Sequence, residues 1–86
     1  MKHRAAVKFW QYYENLPAET KRLADNCYEL LKNDPRHGSL QLKKTGRFWS
    51  VRVGIHYRAV AVQEGEDFVW FWIEHHSEYD RLLGSR

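Results

Sequence analysis

Phe48-Trp49-Ser50-Val51-Arg52-Val53-Gly54-Ile55-His56-Tyr57-Arg58-Ala59-Val60-Ala61-Val62 is the stretch that decides the fold. Its side chains alternate with a period of two. Trp49, Val51 and Val53 fall on one face of a strand, and Phe48, Ser50 and Arg52 fall on the other. Gly54 interrupts the pattern, and Tyr57 to Val62 resumes it, so the two segments predict an antiparallel hairpin. A three-residue loop of Gly54, Ile55 and His56 sets Val53 opposite Tyr57 and Arg52 opposite Arg58. A two-residue loop instead pairs Arg52 with Tyr57 and sends the arginines to opposite faces. The three-residue loop is preferred. It sets like charges side by side, which by itself destabilises a sheet and is understandable where an anion bridges the pair.

Beyond the hairpin, Glu64-Gly65-Glu66-Asp67 forms an acidic turn. Phe68 to Ile73 is a continuous apolar run, which predicts a central strand buried on both faces. Ser77 to Leu83 suits a short helix, with Ser77 as N-cap and Glu78 and Asp80 in its first turn. Before the hairpin, Leu40 and Leu42 alternate with Gln41 and Lys43, predicting a strand from Ser39 that ends at Thr45-Gly46. Two helices precede it. Ala6, Phe9, Trp10, Tyr13 and Leu16 recur at intervals of three and four. Pro17 ends that helix and opens a second one, which runs to about Lys32. Leu23, Ala24, Cys27, Tyr28, Leu30 and Leu31 form its buried stripe, and Asn33-Asp34-Pro35 stops it. A short strand over residues 2–5 is only weakly marked. The expected fold is α+β: a helical hairpin packed on one face of a small four-stranded antiparallel meander, with a short C-terminal helix. The other sheet face is left open, and function is expected there.

Length and composition bound the rest. The 86 residues allow one domain, 1–86, with one core. With 43% hydrophobic residues and four Trp, the chain is too apolar for disorder. A net charge of +3 is a modest basic excess that fits an anionic partner. One cysteine, Cys27, excludes an internal disulfide and a thiolate metal cluster. Lys2, His3 and Arg4 are followed by no apolar stretch of the signal-peptide kind, and no run approaches the ~20 apolar residues of a membrane span. A cytoplasmic protein without membrane association is expected.

Charge is placed unevenly. Lys43, Lys44, Arg47, Arg52 and Arg58 lie between positions 43 and 58 with no acid among them, while Glu64, Glu66 and Asp67 cluster elsewhere. An isolated arginine usually lays its stem on apolar surface and reaches water. Five cations without an acid, with His56 in the loop, predict a phosphate-binding patch, because arginine grips phosphate oxygens bidentately. His75-His76-Ser77-Glu78-Tyr79-Asp80 adds groups able to move protons near neutral pH, with a carboxylate to orient them. On spacing alone, capping and anchoring of the last helix is the simpler role for Glu78, Tyr79 and Asp80. His75 and His76 find no third ligand at a metal-binding spacing.

Taken in order, Phe9-Trp10 through Leu16-Pro17, Tyr28-Glu29-Leu30-Leu31-Lys32, Asp34-Pro35-Arg36-His37, Leu42-Lys43-Lys44, Trp49 to Gly54, Tyr57-Arg58-Ala59-Val60 and His76-Ser77-Glu78-Tyr79-Asp80 resemble the RelE/ParE toxin superfamily. Within it the likeness is to the RelE-like and HigB-like ribonuclease toxins. The resemblance covers nearly the whole chain and implies the same α+β fold. It implies a type II toxin that cuts mRNA, often at the ribosome, without metal or cofactor, and that is held inactive by a cognate antitoxin, through which oligomers can form. It assigns the scissile phosphate to Arg58 and proton transfer to His76, Tyr79 and Lys44. RNA or phosphate contacts fall to Lys43, Arg47, Arg52 and His56, and Asp80 orients His76. His75 competes with His76 for its role. Glu74, where relatives carry an uncharged residue, sets a negative charge beside the site. Two other functions stay open: a ParE-like toxin that poisons DNA gyrase, and a non-catalytic module that binds RNA or protein.

Overall fold

A computed structural model describes residues 2–82, the Asp80 side chain excepted. The elements are β1 (His3–Ala5), α1 (Val7–Glu14), α2 (Ala18–Asn33), a 3-10 turn (Gly38–Leu40), β2 (Lys43–Thr45), β3 (Phe48–Val53), β4 (Tyr57–Glu64), β5 (Asp67–His75) and α3 (His76–Leu82). They form one five-stranded sheet in the order β1-β5-β4-β3-β2. β2 to β5 are the antiparallel meander, and β1 runs parallel to β5 at the sheet's edge. The weakly marked N-terminal strand therefore exists. Its pairing is supported by Trp70 Nε1, which donates to His3 Nδ1 at 3.1 Å.

α1 and α2 cover one sheet face. The main core lies there, built from Leu16, Leu31, Leu40, Val51, Val53, Ala59, Ala61, Phe68, Trp70 and Ile73. The apolar run of β5 is buried as expected, but by an unexpected device. Val60 pairs with Trp72 and Ala61 with Trp70, so Phe71 is an extra residue in the ladder. This β-bulge reverses the alternation. Phe68, Trp70 and Ile73 thus reach the helix side, while Trp72 joins Val60 and Tyr79 in a second, smaller core on the opposite face.

Three expectations need correction. The strand predicted from Ser39 begins only at Lys43, because Gln41 adopts a left-handed backbone (φ 48°) that no strand accommodates. Leu23 and Tyr28, assigned to the buried stripe of α2, lie at the surface, as does Trp10 at 50% exposure. The last helix starts at His76 and is capped by His75, whose Nδ1 accepts from Ser77 N–H at 3.2 Å, rather than by Ser77 itself. Leu83, which was expected to end that helix, lies outside the described residues.

Candidate functional site

The hairpin loop has three residues. Val53 pairs with Tyr57 and Arg52 with Arg58, and the next strand sets Glu74 opposite Arg58. Arg52, Arg58 and Glu74 therefore form one rung across β3, β4 and β5 on the sheet face away from the main core. Gly54 makes the loop possible with φ +66°, a conformation that side chains with a Cβ adopt at a cost. Arg52 spends its Nε on the Gly54 carbonyl at 2.9 Å, which ties the arginine to its own turn. Cys27 Sγ on α2 meets the Arg52 carbonyl at 3.5 Å and anchors the strand from behind.

That face is not wholly open. α3 folds across it and lays Tyr79 on Val60 and Trp72. Tyr79 is 7% exposed, and its hydroxyl shares a 3.2 Å hydrogen bond with the buried Ser50. The Arg58 guanidinium lies over the Tyr79 ring, 5.3 Å from its centre. A cation held on an aromatic face keeps its N–H donors at the ring's edge, free for a phosphate. In this way the small second core serves as a platform for one half-buried arginine.

The lysines divide. Lys43 pairs with Ser50 and so shares the face of Arg58, whereas Lys44 pairs with Trp49 on the helix side. Lys44 Nζ sits 5.9 Å from the Trp49 ring centre. Strand alternation thus separates Lys44 from the residues it was grouped with. Arg47 follows the β2–β3 turn and stacks on Phe48, which returns it to the Arg58 face. The acidic turn is remote in function, because Arg4 of β1 pairs with Glu64 at 3.1 Å and Asp67 at 3.7 Å.

At the end of the sheet, beyond the arginine rung, His56, His75 and His76 gather. His56 and His75 rings are nearly parallel with centres 5.9 Å apart, and His75 and His76 stack at 4.4 Å. The His76 N–H donates to the His56 carbonyl at 2.8 Å, which joins the hairpin loop to the start of α3. His56 and His76 are exposed and His75 is half-buried. The arrangement offers solvent-facing imidazoles at the sheet end next to the arginine rung, while His75 packs on Tyr57, on the face opposite Arg58.

The fold thus brings together Arg58, Arg52, Tyr79 and Lys43, with His56 and His76 at the neighbouring sheet end. It leaves Lys44 on the other side, and the Asp80 side chain lies outside the described part. Ser50 and the gathering of three histidines were missed by sequence. Ser50 had a signal, a polar residue on a strand face that was otherwise apolar or cationic.

A family model described as the ParE-like toxin domain matches residues 19–81. None of the curated proteins is similar enough in sequence to match. Among solved structures, a chain of the RelB-RelE antitoxin-toxin complex from Methanococcus jannaschii superposes with a TM-score of 0.72 at 20% identity, over 91% of this chain and 96% of that one. The YoeB/ParE toxin from Agrobacterium tumefaciens gives 0.66 at 19% identity, over 88% and 99%. A chain of the archaeal RelE-RelB complex from Pyrococcus horikoshii gives 0.65 at 13% identity, over 86% and 92%. At such identities the likeness establishes the fold.

Proposed function

The chain belongs to the ParE-like toxin domain family, within the RelE/ParE superfamily of type II toxin-antitoxin toxins, and on that premise we propose that it is an mRNA interferase acting on RNA at the ribosome. The observation that carries this is the Arg52–Arg58 rung, with Arg58 fixed on Tyr79, and with His56 and His76 exposed at the adjoining end of the sheet. In the proposed step the ribose 2′-hydroxyl oxygen attacks the adjacent phosphorus and loses its proton to a base. The P–O5′ bond breaks, an acid protonates the departing 5′-oxygen, and a 2′,3′-cyclic phosphate and a 5′-hydroxyl result. Arg58 grips the non-bridging oxygens and offsets the charge that grows on them. Arg52 and Lys43 extend the phosphate path, with Arg47 farther along it. His76 carries one of the two protons. Tyr79 holds Arg58 through its ring, while its hydroxyl is engaged by Ser50. No step requires Lys44 in its observed position.

An antitoxin is the second proposed partner. Val7, Trp10 and Tyr28 are large apolar side chains left at the surface. A groove between β1, α1 and α2, lined by Phe9, Trp10, Tyr13, Tyr28 and Trp70, has the apolar character of a helix- or strand-binding site. Two of the three solved structures described above are themselves antitoxin-toxin complexes.

Expression of the chain alone tests the ribonuclease. Wild type should slow growth and leave mRNA fragments with 5′-hydroxyl ends. Arg58→Ala should lower cleavage about 10²-fold or more, and His76→Ala by a similar factor. Normal growth with intact mRNA would remove the proposal. Growth arrest with intact mRNA and broken DNA would assign the protein to gyrase poisoning. One observation favours a non-catalytic RNA-binding role, namely the Tyr79 hydroxyl engaged by Ser50. In that case wild type binds RNA, Arg58→Ala weakens binding, and no RNA is cut.

A further inference from the structure

We propose that His56, His75 and His76 form a three-imidazole site for a d-block divalent ion of the Zn²⁺, Ni²⁺ or Cu²⁺ class. One ring nitrogen of each lies within 4.8 Å of those of the other two. Among the described residues this is the one such gathering of metal-ligating side chains. Metal–imidazole bonds of about 2.0–2.1 Å in a tetrahedral array need ligand nitrogens about 3.3 Å apart. Small ring rotations close that gap, and two of the three rings are exposed and free to make them.

The backbone that carries the ligands is already set. His56 is the last residue of the hairpin loop, and its carbonyl accepts the His76 N–H at 2.8 Å. Tyr57 pairs with His75 across β4 and β5. Two independent segments are therefore locked at the point where their histidines meet. His75 would ligate through Nε2, which requires its proton on Nδ1, donated to the Ser77 hydroxyl at 3.1 Å, and release of the 3.2 Å contact in which Nδ1 accepts from the Ser77 N–H.

The chemistry selects the ion. Three neutral imidazoles without a carboxylate favour Zn²⁺, Ni²⁺ or Cu²⁺ and reject Mg²⁺ and Ca²⁺, which need oxygen ligands. Three ligands leave a further position for water. The site shares His76 with the RNA-cleaving step proposed above, so a bound ion would withdraw that imidazole from proton transfer. This consequence rests on the ribonuclease proposal; the binding itself does not.

Titration calorimetry of the untagged full chain with Zn²⁺, together with the visible absorption of a Co²⁺-loaded sample, tests the site without reference to activity. Expected are one ion per chain, the intense d–d bands of low-coordinate Co²⁺, and no heat with Mg²⁺. His56→Ala, His75→Ala and His76→Ala should each weaken Zn²⁺ by about tenfold or more, while His37→Ala, at an exposed histidine outside the cluster, should not. Far-UV circular dichroism confirms that each variant is folded. Absence of Zn²⁺ binding, full affinity in any of the three cluster variants, or an equal loss in His37→Ala would overturn the proposal. Metal binding that survives when no RNA cleavage is found would uphold the site and remove only its regulatory consequence.

Discussion

Replacing Glu74 by Gln should weaken the fold and tighten the grip on RNA, two effects of opposite sign from one carboxylate. Arg58 stands between Arg52 on one neighbouring strand and Glu74 on the other. Adjacent strands are about 4.8 Å apart. Among the described residues Arg58 and Glu74 make no close ion pair, so Glu74 acts through space, offsetting the repulsion between the arginines. Cross-strand charge pairs on partly exposed faces contribute about 0.2–1 kcal/mol. Glu74→Gln should therefore lower stability by about that amount, up to ~8 °C in Tm for a domain of this size. The same energy no longer opposes an incoming phosphate, so affinity should rise about 1.4- to 5-fold. Anisotropy with a 2′-O-methyl RNA, which cannot be cut by its own 2′-oxygen, reports affinity, and a thermal melt reports stability. Both effects should fade near 1 M salt, where the Debye length is about 3 Å. If RNA binding stays the same or weakens, or if the effects survive high salt, then Glu74 does not compete with RNA for Arg58.

Gly54 and Gly65 share a left-handed backbone, but a Cβ on Gly54 would meet Leu23 Cδ1 at 2.9 Å while Gly65 has open space around it. Each Ala variant should lose about 1–2 kcal/mol from backbone conformation. Gly54→Ala should lose somewhat more, and adding Leu23→Ala should recover only the excess; chemical denaturation measures all three. Burial and the charged N-terminus hold the His3 imidazole below its ordinary 6.5. The folded state then binds this proton less readily than the unfolded chain, so stability is complete above about 6.5 and falls as the pH drops below it. Melting at pH 7.5 and 5.5 should show that loss, and His3→Gln should reduce it.

The hairpin was legible because a period of two, a glycine and a register rule left few arrangements for Phe48 to Val62. The Arg52–Arg58 juxtaposition followed from loop length alone. Lys44 was grouped with the patch by charge placement and given its role by resemblance, whereas one more step of the same alternation puts it on the Trp49 side. The Phe71 bulge was hidden, since a fully apolar run carries no alternation from which a slip could be seen. Trp10, Leu23 and Tyr28 fit a helical stripe, but they lie at its exposed margin, and periodicity does not tell where the covered part of a stripe ends. The histidine cluster joins a loop to a strand end far away in sequence, and local spacing has no access to such a meeting.

The position of β5 has a consequence for how the protein comes into being. Among the described strands it is the last to be synthesised, yet it sits between β1 and β4. Until it emerges, the N-terminal strand and α1 have nothing to dock on, and Arg58 has neither Glu74 beside it nor Tyr79 beneath it. A nascent chain stopped before residue 67 would hold a hairpin and two helices but no assembled anion site. Assembly of the arginine rung and its aromatic platform thus waits for β5 and α3.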